Sequence, residues 1–245
     1  MPNIFLEAVV KHLSRTATPS DMTAEQWADI PRAIRERSFF SARVTNARHL
    51  NKIKDSVESI LAPRIEQNED GTFATRGMDP ATARLEIKQM LESLGYDPGA
   101  KRGSIQDLSS DQRIDLQIKQ NTEAAQGFGQ FVQGTAPGAI DAYPAQELFR
   151  AEDRMEPRDW EARWREAGGE FFGGRMIALK SSPIWETISR FGVPYPPFDF
   201  NSGMWVQDVA RSEAEELGLI LPQEQAVAPR SDFHLPDNIG EPDLE

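Results

Sequence analysis

Apolar residues recur three or four positions apart through most of the first 134 positions, and that period is lost afterwards. From Pro31 the apolar set Ile34, Phe40, Val44, Ala47, Leu50, Ile53, Val57, Ile60 and Leu61 lines one side of a helix. The spacing predicts one long amphipathic helix that starts at Pro31 and stops at Pro63. Ahead of it, residues 1–30 form an N-terminal arm whose short apolar pieces are parted by Thr16-Ala17-Thr18-Pro19-Ser20, read as a linker. Asn68-Glu69-Asp70-Gly71 reads as a turn. Asp79 and Pro80 make a cap and first-turn pair, with Leu85, Met90, Leu91 and Leu94 behind them and Gly95 at the stop, so a second helix spans about 80–94. A third begins near Ser109 or Ser110 and runs through Ile114, Ile118, Thr122, Ala125 and Val132. Gly127 and Gly129 inside it cost about 1 kcal/mol each in helix propensity, which a close approach by another element would explain.

Beyond Gly134 short segments are punctuated by Pro137-Gly138, Pro144, Pro157, Gly168-Gly169, Gly173-Gly174, Pro183 and Pro194 to Pro197. The clearest helical piece left is Asp159 to Ala167. Glu170-Phe171-Phe172 and Arg175 to Leu179 flank a Gly-Gly pair, which predicts a hairpin. The expected fold class is therefore α+β: a helical region over 31–134, a small irregular C-terminal lobe over 135–220 containing a β-hairpin, and an extended acidic tail over 221–245. That tail carries Pro222, Pro229, Pro236 and Pro242 and shows no periodicity.

Composition narrows the chemistry. The 245 residues include no cysteine, which excludes disulfides, Cys-ligated zinc, iron–sulfur clusters and thiol nucleophiles. The net charge of −12 argues against coating of nucleic acid by the whole surface. Its distribution says more: Arg32, Arg35, Arg37, Arg43, Arg48, Lys52 and Lys54 face one acid, Glu36, a net +6, whereas Trp205 to Glu245 holds ten acids and two arginines, a net −8. These seven bases are candidate contacts for DNA or an acidic partner; the alternative is an ordinary solvated helix face. No apolar run is long enough to span a membrane. Ile4 to Val10 is interrupted by Glu7 and has no basic residue before it, unlike a secretion signal, so a cytoplasmic protein is expected.

Catalytic motifs are scarce. Gly127-Phe128-Gly129 lies within a helix and lacks a third glycine, no Gly-Lys-Ser or Gly-Lys-Thr occurs, and no Gly-x-Ser-x-Gly elbow is present. His12, His49 and His234 are scattered, and the first two read as surface or boundary residues of helices. No catalytic residue, metal or cofactor is expected. Glu147, Glu152, Asp153, Glu156 and Asp159 alternate with Arg150, Arg154, Arg158 and Arg163, which favours a solvated ion-pair network over general acid–base catalysis. Trp160, Arg163 and Trp164 share a helical face, either an anchor for the short helix or a platform for a base or a partner's arginine. The stretch Pro194 to Met204, with Pro196, Pro197, Phe198 and Phe200, reads as a rigid buried loop closing the lobe, with the two phenylalanines on one side of an extended chain. A polyproline recognition element is the other option.

In order along the chain, Gln120 to Ala125 with Gly127, Pro144-Ala145, the run Arg150 to Trp160 with Glu152-Asp153-Arg154 and Pro157, Pro183-Ile184-Trp185, and Pro196-Pro197 resemble the minor head proteins of tailed bacteriophages, the Mu F-like head-morphogenesis family. The resemblance covers about residues 109–220. It implies a virion component, assembled in the host cytoplasm and associated with the portal or inner capsid protein. The basic helix would then meet packaged DNA or an acidic portal surface. Relatives often carry His or Cys after the acid–Arg segment and Cys-Arg-Cys near the Pro-rich one. Here Arg158-Asp159 and Ser202-Gly203-Met204 stand in those places, so the family's metal set is not carried over. The alternatives are a phage-encoded nuclease- or toxin-like enzyme built on the charged cluster around Asp153, and an assembly scaffold absent from the finished particle.

Overall fold

The computed structural model describes residues 4–62, 64–67, 73–222 and 224–229. The expected turn at Asn68 to Gly71, His234 and most of the acidic tail lie outside these residues. Chain packing divides the molecule into two units, one of residues 8–125 and one of residues 126–229 with 4–7.

In the 8–125 unit the chain runs from α1 (Ile4–Leu13) through β1 (Thr16–Ala17), α2 (Ala24–Ala28), α3 (Arg32–Glu36) and β2 (Ser38–Phe39) to α4 (Ala47–Leu61). The single long helix expected from Pro31 to Pro63 is therefore not formed, and the basic residues do not share one helix. Its apolar spacing combined two phases: Ile34 is exposed, while Phe39, outside the expected stripe, is fully buried. Phe39 is drawn into a parallel pairing of β2 with β1, and Ser20 bridges Val44. The expected linker is thus part of a small sheet. Arg43 takes a left-handed conformation at φ 60°, which no helix accommodates, and Asn46 starts a new helix by accepting the His49 N–H at 3.1 Å. Phe40 turns away and stacks on Trp27 with ring centroids 4.1 Å apart.

After α4 come β3 (Arg64–Gln67) and β4 (Phe73–Arg76), an antiparallel pair, then α5 (Pro80–Ser93) and the first part of α6 (Asp111–Gly134). Asp79 caps α5 through the Ala81 and Thr82 N–H groups, with Pro80 in the first turn, as the sequence predicts. The core is aliphatic: Leu50, Ile53 and Val57 of α4 meet Ile87 and Leu91 of α5 and Ile114 and Ile118 of α6, all buried.

In the 126–229 unit, the end of α6 is followed by α7 (Pro137–Ala142), β5 (Ala145–Arg150), α8 (Trp160–Glu166), β6 (Phe171–Phe172), β7 (Arg175–Leu179), α9 (Ile184–Thr187), β8 (Met204–Val209) and α10 (Arg211–Glu216). The fold is α+β, with the predicted hairpin present as β6–β7, joined by Gly173 and Gly174 at positive φ. The sheet order is β6-β7-β5-β8, antiparallel throughout. Alternation along the strands gives it two apolar faces. Leu148, Met176, Ala178 and Val206 meet Trp160, Trp164, Trp185 and Phe198, whereas Ala145, Ile177, Leu179 and Val209 meet Ala214 and Leu217.

Candidate functional site

The tryptophans of α8 and α9 converge with Phe198 of the Pro-rich stretch. Asp159 caps α8 by accepting the Ala162 N–H at 2.8 Å and so sets the orientation of Trp160 and Trp164, both buried. The Trp164 indole N–H donates to the Glu170 carbonyl at 2.8 Å and that of Trp185 to the Leu179 carbonyl at 2.8 Å. Their rings lie 5.3 Å apart, and Phe198 lies 6.1 Å from Trp185. The tryptophan face of α8 is thus a core anchor, with Arg163 lying 4.8 Å from the Trp160 ring centre.

The Pro-rich stretch is a buried loop: Val193 to Asp199 are all buried, and the Pro196–Pro197 bond is cis. Phe198 and Phe200 do not share a side, however. Phe198 enters the tryptophan cluster, while Phe200 meets Phe191 edge to face, because the chain bends where Asp199 turns inward. The loop passes so close to α6 that a β-carbon on Gly127 would lie 2.0 Å from the Pro196 carbonyl oxygen. This accounts for a glycine inside that helix.

Around this loop lies a cleft of about 340 Å3, part of it open solvent, lined by Gln130, Phe131, Gln146, Lys180, Tyr195 and Asp208 among others. Lys180 is 4 % exposed and donates to Asp208 at 2.7 Å and to the carbonyl of Gly134, the end of α6, at 3.1 Å. The cation neutralises both a carboxylate and a helix C-terminus. On the opposite sheet face Glu147 accepts from Arg175 and Gln207. Burial works against its charge, but those hydrogen bonds outweigh burial and hold its carboxyl below the ordinary range.

The acid–Arg run separates into different tasks. Arg154 is tied to Glu152 at 2.6 Å and to the Asn201 carbonyl at 3.0 Å, whereas Asp153 and Pro157 are exposed. Arg158 and Arg163 turn to Asp199. No two carboxylates of this run are brought together for acid–base work in any contact among the described residues.

In the 8–125 unit the seven bases fall into two groups. Arg32 pairs with Glu36 at 2.7 Å, Lys52 with Glu86 at 2.6 Å, and Arg35 donates to the Ile30 carbonyl at 2.9 Å. Arg37, Arg43 and Arg48 are exposed, and Lys54 is half-buried. The histidines differ from the surface or boundary positions expected of them: His12 and His49 are both fully buried. They lie on the inner faces of α1 and α4, which the apolar spacing alone did not reveal. His12 Nε2 meets the Lys54 carbonyl at 2.7 Å, and both ring nitrogens of His49 lack a partner. Burial, reinforced by Arg15, pushes His12 down to about 3; burial, reinforced by Arg113, pushes His49 down to about 4. Both imidazoles are neutral at pH 7.

No family description matches the chain, and no curated protein or solved structure matches it. Among the described residues no helix is long and apolar enough to cross a membrane.

Proposed function

We propose that this chain is a minor head protein of a tailed bacteriophage, acting at the portal or inner capsid during head morphogenesis. The observation that carries the reading is the convergence of the motif segments that resemble that family. Gly127 closes on Pro196, Pro144-Ala145 opens the central strand β5, and Trp185 packs between Trp164 and Phe198. Segments separated by up to about seventy residues therefore meet in one small lobe, Ala145 on one face of the sheet and Trp185 with Phe198 on the other, which supports an ordered set of short motifs that specifies a shared lobe. The exposed Arg37, Arg43 and Arg48 supply the contact to packaged DNA or to an acidic portal surface.

The enzyme alternative finds less support. Asp153 is exposed and Arg154 is spent on Glu152 and the Asn201 carbonyl, so the cluster offers no poised acid or base. Mass spectrometry of purified particles tests the proposal: the chain is expected at low copy number in mature virions. Its presence in assembling heads but not in virions would make it a scaffold, and its absence from both would remove the head-protein reading.

A further inference from the structure

Asp199 is buried, its side chain 7 % exposed, and it is the focus of several guanidinium groups. Its Oδ2 accepts from Arg163 Nη1 at 3.0 Å and lies 3.7 Å from Arg158 Nε, its Oδ1 lies 3.8 Å from Arg190 Nη1, and the Phe200 N–H donates to Oδ1 at 2.8 Å. Arg150 adds a further guanidinium, donating to the carbonyl of Arg158 at 3.3 Å. Among the described residues Arg158 and Arg163 reach no carboxylate besides Asp199, and Arg150 reaches none. Arg158, Arg163 and Arg190 thus share the Asp199 carboxylate, and Arg150, Arg158 and Arg163 together carry two positive charges beyond that one carboxylate.

Acids that stand close in sequence make no ion pair with these three arginines among the described residues. Asp159 is committed to the α8 cap, Glu152 to Arg154, and the exposed Asp153 and Glu156 make no ion pair with a described arginine. The arginines are also held in place. Arg163 lies against the Trp160 ring, and Arg158 is fixed by donating to the Phe200 carbonyl at 2.9 Å. Yet their side chains remain 30 % and 46 % exposed. Partly exposed forks held in this way have already lost the side-chain entropy that binding would otherwise cost. Two surplus charges and several free donors match a phosphate group, whose oxygens accept from paired guanidinium N–H groups.

We infer that the Arg150–Arg158–Arg163 cluster over Asp199 is a phosphate-binding site. The site lies in a different unit from the exposed arginines of the proposed head-protein function and does not depend on that function. Phosphate reaches it either as the free ion or as the phosphate of a nucleic acid.

Isothermal titration of the full chain with inorganic phosphate, and separately with a short single-stranded oligonucleotide with and without a 5′-phosphate, decides between these sources. Arg158→Gln and Arg163→Gln are each expected to weaken binding about tenfold, with Arg163→Lys in between because it keeps charge but loses the fork. Asp199→Asn is expected to tighten binding several-fold by removing the competing anion. If that variant fails to fold, the Arg158 variant, at an exposed position, and the half-buried Arg163 variants carry the test, with circular dichroism confirming that they keep the native helix content. Binding of phosphate, or of the oligonucleotide alone, that is lost in these variants supports the site and names its source. Binding that persists in Arg158→Gln and Arg163→Gln, or that equal ionic strength of chloride reproduces, or no binding of either probe, overturns it.

Discussion

The two units solve the same problem with different materials. Residues 8–125 are held by aliphatic side chains on helix faces, while residues 126–229 gather Trp160, Trp164, Trp185 and Phe198 on one side of a four-stranded sheet. The aromatic unit pairs its buried charges with opposite ones: Glu147 with Arg175, Lys180 with Asp208, Asp199 with Arg163. The aliphatic unit instead buries two neutral histidines beside arginines, and Arg113 donates from Nη2 to Ser41 and to the Ala42 carbonyl rather than to a carboxylate. Overall charge differs as well. Seventeen bases meet seventeen acids in 8–125, whereas nine meet sixteen in 126–229, a net of zero against −7. Packing therefore makes the second unit sensitive to loss of ring volume, and buried imidazole makes the first sensitive to acid.

The largest expected effect tests the aromatic core. Trp185→Ala removes a fully buried indole that packs on two other rings and donates to the Leu179 carbonyl, and it is expected to cost about 3–5 kcal/mol. Four of the five tryptophans lie in this unit, so intrinsic fluorescence follows it, while far-UV circular dichroism weights the helical 8–125 unit. A fluorescence transition at markedly lower denaturant, with the dichroism transition less affected, is the expected outcome. Coincident shifts in both probes would show one cooperative body rather than two.

Acid gives the next largest effect, and it acts on the other unit. The folded-state values near 4 for His49 and near 3 for His12 lie below the ordinary 6.5, so the unfolded chain takes up protons first. The stabilisation is complete above pH 6.5 and is lost as pH falls toward 4 and then 3. At pH 5 this amounts to about 2 kcal/mol per histidine. His49→Leu, which replaces an imidazole whose nitrogens have no partner, is expected to leave stability at pH 7 unchanged or higher and to flatten about half of this loss. Denaturant titrations at pH 7 and pH 5 measure both. An unchanged slope in the variant would assign the acid sensitivity to other groups.

Much of this division was legible in the amino-acid order, for physical reasons that also set its limits. α5 and α8 were readable because their caps, Asp79 and Asp159, act within three residues, and the Gly173-Gly174 hairpin because a two-residue turn demands positive φ. The break between α3 and α4 was not. It depends on β2 pairing with a segment more than twenty residues earlier, and a spacing of three or four does not reveal a change of phase. The tryptophans and the Pro-rich loop announced themselves by size and stiffness. Lys180 and Asp199 did not, since their partners Gly134 and Arg163 stand 46 and 36 residues away. The buried histidines read as surface or boundary residues of helices because imidazole is polar and nothing near them in sequence marks their burial.

A smaller effect sharpens the comparison along α6. Replacing glycine by alanine inside a helix ordinarily stabilises by about 1 kcal/mol. At Gly127 the new β-carbon would meet the Pro196 carbonyl, so Gly127→Ala is expected to destabilise by about 1–3 kcal/mol instead. Gly138 in α7 has open space around it, and Gly138→Ala is expected to stabilise by about 0.5 kcal/mol. Thermal melts that give both substitutions the same sign would contradict the close approach.

The smallest effect on stability separates the arginines of the two units. Arg37, Arg43 and Arg48 are exposed, whereas Arg158 and Arg163 are held against Asp199 and their neighbours. Replacing all three of the former by glutamine is expected to change stability by no more than about 0.5 kcal/mol, because no packed or paired group is lost. Arg43→Gly is expected even to stabilise slightly, since it relieves the left-handed backbone at φ 60°. If these side chains meet DNA phosphates, each contact removed should lower the slope of log affinity against log salt by about 0.9. The triple variant should therefore bind duplex DNA more weakly with a shallower salt dependence, as measured by fluorescence anisotropy across a salt series, while its melting curve stays in place. A slope unchanged by the triple variant but reduced by Arg158→Gln would move the DNA-facing surface from the 8–125 unit to the 126–229 unit. The net charges of the two units would then be a poor guide to where a polyanion binds, and the local pairing of each arginine the better one.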